Sequence, residues 1–124
     1  MAKSIEALEG IGPSYGAKLR AVGCGSPDKL LRGGATRKGR REIAAKTGIR
    51  EAVILRCVNM ADLYRIKGVA TQYAELLEAA GVDTVKELKN RNAKNLAQAM
   101  SEINEKMVTA WVAHAKKLKA GVSY

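Results

Sequence analysis

The chain has 124 residues, and 22 Lys and Arg against 12 Asp and Glu give it a formal net charge of +10. Apolar residues make up 47%, too many for a disordered tail, and no apolar run approaches the roughly 20 residues of a membrane-spanning helix. Collagen is excluded by Gly without a period and only 2 Pro, and the 2 Cys, Cys24 and Cys57, cannot alone build a disulfide framework or a zinc site.

The opening MAKSIEALEG has no hydrophobic stretch of signal-peptide length, so a cytoplasmic protein is expected. The composition favours helix: Ala is abundant, Phe is absent and β-branched residues do not alternate. Ile5 and Leu8 predict the apolar stripe of a first short helix. Pro13 opens a second helix at its first position, where the missing N–H costs nothing. Ala17, Leu19 and Val22 fill its inner face, and Gly23 is a left-handed stop. Ser26 caps a third helix, with Pro27 first and Leu30 and Leu31 inward. Thr36 caps a fourth, which ends at Gly48. Residues 51–60 form a fifth, with Val53, Ile54, Cys57 and Val58 inward at helical spacing. The second half follows the same plan. Thr84 and Glu87 make a T-x-x-E capping box. A last helix, roughly 105–119, aligns Val108, Trp111, Val112, Ala115 and Leu118 on one stripe. No strand signal competes.

The two halves are related. Sliding the chain by 58 positions aligns Gly10 with Gly68, Tyr15 with Tyr73, Leu19 with Leu77, Gly23 with Gly81 and Leu30 with Leu88. Further on the offset drops to 54, where VILRCVNMA (53–61) lies over MVTAWVAHA (107–115). A four-residue deletion opposite GGATRKGRR explains the drop. The expectation is an all-α fold of two tandem repeats of short helices, residues 1–61 and 62–124, packed as one compact unit. The stripes that end in Cys57 and Trp111 are expected to meet in a common core.

The most informative local pattern is LEGIGPSYGAKL, residues 8–19. Gly10 admits backbone conformations closed to residues with a Cβ. Ile11 plugs the space between two helices, and Gly12 removes bulk where the second one starts. First-turn N–H groups have no internal partner and sit at the positive end of the helix dipole. Such a surface is bare, rich in donors and approachable by phosphate. The pattern resembles the helix-hairpin-helix motif of DNA-repair and recombination proteins, well over 8–19 and in part over 66–77. The longer string, from GIGPSYGAKL through TGIREAVILRCVNMADLYRIKGVATQYAELLEAAGVDTVKEL, resembles an uncharacterised bacterial family of tandem helix-hairpin-helix proteins, a domain of unknown function. The resemblance implies that the amides of Gly10, Ile11 and Gly12 grip a backbone phosphate without reading bases, with Lys18 nearby. The second hairpin departs from the motif. It reads Gly68-Val69-Ala70, with Lys67 and Arg65 before it and Glu75 and Glu78 after it. Hairpins of this kind also serve merely to join and pack helices.

Charge is concentrated. Residues 29–56 hold Lys29, Arg32, Arg37, Lys38, Arg40, Arg41, Lys46, Arg50 and Arg56 against Glu42 and Glu51, so 9 − 2 gives +7 of the total +10. Within this segment GGATRKGRR reads as a Gly-rich basic loop running into a helix. Such a cluster is an electrostatic footprint for a polyanion. The bland alternative is a solvated face that keeps an Ala-rich protein dissolved. A lesser basic patch, Lys86, Lys89, Arg91 and Lys94, stands at the matching place in the second half.

Nothing points to catalysis. The one histidine, His114, lies beside Trp111 on a helix, carboxylates are dispersed, and GxxxxGK[ST] is absent. Cys57 reads as core and Cys24 as the more accessible thiol. No metal, cofactor or small-molecule ligand is expected. The expected function is a non-enzymatic module that holds duplex DNA by its phosphates, independent of sequence. Gly10, Ile11, Gly12, Lys18, Arg37, Lys38, Arg40, Arg41, Lys67 and Gly68 are the candidate contacts. The alternative is an adaptor whose hairpins are scaffolding and whose basic face meets an acidic protein. The few aromatics argue against a stacking platform for single strands.

Overall fold

Helix starts are set by Pro and by short polar caps, and helix stops by Gly. The computed structural model describes residues 4–8, 11–66, 68–69, 71–100 and 105–123, and every regular element among them is helical. A 3₁₀ turn, Ile5–Ala7, precedes α1 (Pro13–Ala21). In α2 (Pro27–Gly34) the Ser26 hydroxyl accepts from the Lys29 N–H at 3.2 Å. In α3 (Arg37–Thr47) Thr36 does the same for Gly39 at 3.1 Å, and Gly48 closes the helix at φ 75°. The long α4 (Glu51–Leu63) follows, then α5 (Thr71–Ala79). Before α6 (Val85–Lys89), Thr84 accepts from the Glu87 N–H at 3.3 Å, while the Glu87 carboxylate accepts from the Thr84 hydroxyl and the Asp83 N–H. Asn92 caps α7 (Ala93–Ala99), and α8 (Glu105–Lys116) comes last. Gly23 and Gly81, at φ 81° and 90°, end α1 and α5 alike. The next N–H, of Cys24 or Val82, reaches back to Leu19 or Leu77 at 2.8 Å, which closes a Schellman turn in each half.

Element positions recur along the chain. α1 and α5 start 58 residues apart, as do α2 and α6, whereas α4 and α8 start 54 apart. α7 has 7 residues where α3 has 11, and there the offset falls. The apolar residues gather into two cores. Ile5, Leu8, Leu19, Leu30, Ile54, Cys57 and Val58 belong to the first. Leu63, Ile66, Leu77, Leu88, Leu96, Val108 and Trp111 belong to the second. The common core expected from the Cys57 and Trp111 stripes does not form. α4 turns its stripe onto α2 and α3, and α8 turns its own onto α6 and α7, so each stripe is covered within its own half. Trp111 packs beside Tyr73, with ring centroids 5.5 Å apart.

Polar and backbone contacts join the halves. Tyr64 packs against both cores and donates from its hydroxyl to the Ala7 carbonyl at 2.9 Å. Asp62, in the last turn of α4, is fully buried. Its carboxylate accepts from the Val85 N–H at 2.8 Å, at the start of α6, and from Arg65. Arg65 also donates to the Lys119 carbonyl at 2.6 Å. Beyond α8 the chain returns to the first half, where Val122 packs on the first core and the Ser123 N–H donates to the Ala35 carbonyl at 2.7 Å. No helix among the described residues is long and apolar enough to cross a membrane.

Candidate nucleic-acid interface

The segment read from sequence as the first hairpin leads into α1. Gly10 lies outside the described residues. Ile11 is 6% exposed and sits in the first core, so its side chain is the plug between helices. Gly12 is exposed and caps α1 with extended backbone, φ −86° and ψ −179°. A Cβ built on Gly12 would meet no atom within 4 Å. Neither backbone strain nor internal packing therefore requires glycine at position 12. Lacking a side chain, Gly12 leaves the first turn uncapped, and the N–H groups of Ser14 and Tyr15 find no partner among the described residues. Lys18 is exposed on the next turn. The Glu6 carboxylate lies against Gly16, where it leaves no room for a Cβ, and pairs with Arg20. The hydrogen bond from Arg20 holds the Glu6 carboxyl below its ordinary value. Arg20 thereby offsets the charge of Glu6 near the start of α1. The pair was not evident from sequence, because the partners stand 14 residues apart with no shared motif.

The basic segment is a helix corner and not a loop. Gly33 and Gly34 end α2, Arg37 begins α3, and only residues 35–36 connect them. Its glycines answer packing: a Cβ on Gly34 would lie 2.6 Å from a Val58 methyl, and one on Gly39 would strike the Gly33 carbonyl. Arg37 and Lys38 are exposed in the first turn of α3, which holds no acid. Cations there oppose the helix dipole, an arrangement that an incoming anion relieves. Arg41 is exposed, 3.6 Å from Glu51. Lys29, Arg32, Lys46 and Arg50 are exposed as well.

Arg40 corrects the sequence-based expectation. It is 4% exposed, and its guanidinium donates to the carbonyls of Gly34 at 2.9 Å, Ala35 at 3.2 Å and Ser123 at 2.8 Å. The carbonyls at the end of α2 draw the cation inward, and the returning tail covers it. Arg40 holds the corner together and cannot meet an external phosphate.

The segment read as the second hairpin differs from the first. Lys67 and Ala70 lie outside the described residues. Gly68 is exposed at φ 90°, in the left-handed region that favours glycine, and a Cβ there would touch the Trp111 indole nitrogen at 3.4 Å. Val69 is buried as Ile11 is. Here the fold itself accounts for the glycine. Glu75 is exposed on the helix that follows.

Among the described residues no group of three His, Cys, Asp or Glu could hold a metal ion. Cys24, read from sequence as the accessible thiol, is 4% exposed because its side chain turns into the first core. Burial raises both thiols, Cys57 to about 11. Neither thiol is therefore activated as a nucleophile. His114 is half-buried on α8.

Comparison with known proteins places the chain. No curated protein and no solved structure matches it. One family model does match, over residues 9–118, which is nearly the whole chain. The chain thus belongs to the family described as Domain of unknown function (DUF4332).

Proposed function

We propose that the chain is a non-enzymatic module that binds duplex DNA by its phosphates without reading sequence. It is built as two tandem helix-hairpin-helix repeats, of which the first carries the binding. The carrying observation is Gly12. Glycine stands where φ and packing admit any residue, and it faces solvent beside the N–H groups of Ser14 and Tyr15, which have no partner among the described residues. A bare helix start of this kind lets a phosphate oxygen reach backbone donors at the positive end of the dipole. Lys18, Arg37, Lys38 and Arg41 supply exposed charge, two of them against the dipole of their own helix. The tandem reading is supported by the recurring offsets of 58 and 54 and by the paired Schellman turns at Gly23 and Gly81.

The test is fluorescence anisotropy with random-sequence duplex DNA over a range of salt. About four phosphates neutralised give a log–log salt slope of −3.6 or steeper, at about −0.9 each. Gly12→Val adds bulk and leaves charge unchanged, and its extended backbone suits a β-branched residue. Replacing Gly as the cap costs on the order of 1 kcal/mol. The folded variant should bind at least tenfold more weakly. Undiminished affinity would remove the hairpin from the mechanism. Feeble wild-type binding at physiological salt would refute the DNA reading and favour an acidic protein as the partner.

A further inference from the structure

We infer that the outer face of α8 is a second phosphate-contacting surface, separate from the hairpin and the basic corner. The inference rests on the nucleic-acid reading and extends it. Its starting point is how the first half holds the second. On α4 the stripe Ala52, Leu55, Asn59 and Asp62 faces Glu78, Asp83 and the start of α6, where buried Asp62 accepts the Val85 N–H. An offset of 54 carries this stripe onto Lys106, Thr109, Ala113 and Lys116 of α8. In the second half nothing within the described chain covers the equivalent face. It forms an open groove of about 630 Å³ between α8 and the α6–α7 turn, lined by Lys89, Asn90, Arg91, Thr109 and Lys116 among others.

The chemistry at the key position is reversed. Asp62 is buried and accepts a helix N-terminus, whereas Lys116 is exposed and can only donate. A further copy of the repeat could not dock on Lys116 as the second half docks on Asp62. Among the described residues no carboxylate lines the groove. Lys89 and Arg91 are held in place by the carbonyls of Leu118 and Ala80, at 2.9 and 3.2 Å. Lys106 and Lys116 are exposed, with no partner among the described residues. Fixed cations flanked by free ones and by neutral polar groups match a phosphodiester strand. An apolar or cationic partner would leave them unpaired.

The experiment is the same anisotropy titration on wild type, Lys106→Ala/Lys116→Ala, Gly12→Val and the triple variant. With this surface engaged, the wild-type slope approaches −5.4, for about six phosphates. The lysine pair variant returns it to about −3.6 and loses on the order of 50-fold in affinity at about 0.1 M salt. The triple variant combines both losses. Unchanged slope and affinity in the lysine pair variant, with wild type binding, would overturn the groove and leave the hairpin standing. An effect of the lysine pair with none from Gly12→Val would keep the groove and remove the hairpin. Absence of wild-type binding would overturn both.

Discussion

Arg40 and Arg41 are adjacent in sequence and carry the same charge, yet the structure places one in the interior and the other in solvent. Arg40→Ala removes a guanidinium bound to the carbonyls of Gly34, Ala35 and Ser123. At about 1.5 kcal/mol for each charged hydrogen bond the loss is about 4.5 kcal/mol. Relief from holding a buried cation offsets part of this, which leaves about 3 kcal/mol. For a chain of this length that lowers the melting temperature by roughly 10 °C. Arg41→Ala removes an exposed pair at 3.6 Å and should cost under about 0.5 kcal/mol. The DNA salt slope should move the other way. Arg41→Ala makes it shallower by about 0.9, and Arg40→Ala leaves it unchanged in protein shown to be folded. Urea unfolding and salt-dependent anisotropy on both variants measure the four quantities. A shallower slope with intact stability for Arg40→Ala would refute the assignment.

Trp111→Ala should cost about 3–5 kcal/mol by urea unfolding, since the ring is 3% exposed between Tyr73 and Gly68. A cost under about 1 kcal/mol would mean that the second core does not depend on it. Burial shifts Cys57 from an ordinary 9.0 to about 11, so above pH 9 the unfolded chain releases a proton that the folded chain retains. Stability should therefore be complete below pH 9 and fall by roughly 2–3 kcal/mol towards pH 11. Cys57→Ala should remove that part of the decline, and an identical pH profile in the variant would contradict the burial argument.

Local chemistry made much of the fold legible in advance. Pro13, Pro27, Ser26, Thr36 and Thr84 act within four residues of themselves, so their capping roles follow from sequence spacing. Gly23, Gly48 and Gly81 take the positive φ read for a helix stop in the first half and carried by the repeat into the second. What stayed hidden depends on distant partners. Arg40 looks like its neighbours until Ser123 arrives from 83 residues away. The glycines of GGATRKGRR suggest a loop, and only the approach of Val58 and of one helix to the next shows that they permit packing. Gly12 stood out as a candidate from its place in the LEGIGPSYGAKL pattern, and the structure adds that a Cβ there would meet nothing within 4 Å.

The return of the tail to the α2–α3 corner also sets an order in time. A ribosome makes Arg40 and Ala35 well before Ser123, so the corner cannot be completed while the first half emerges. Closing an 83-residue loop instead of a ten-residue one costs about 2 kcal/mol more in chain entropy. That penalty is met only once the second half is folded and holds the tail near the corner, through Arg65 on Lys119 and Lys89 on Leu118. The α2–α3 corner is thus completed last, although its own residues are made early.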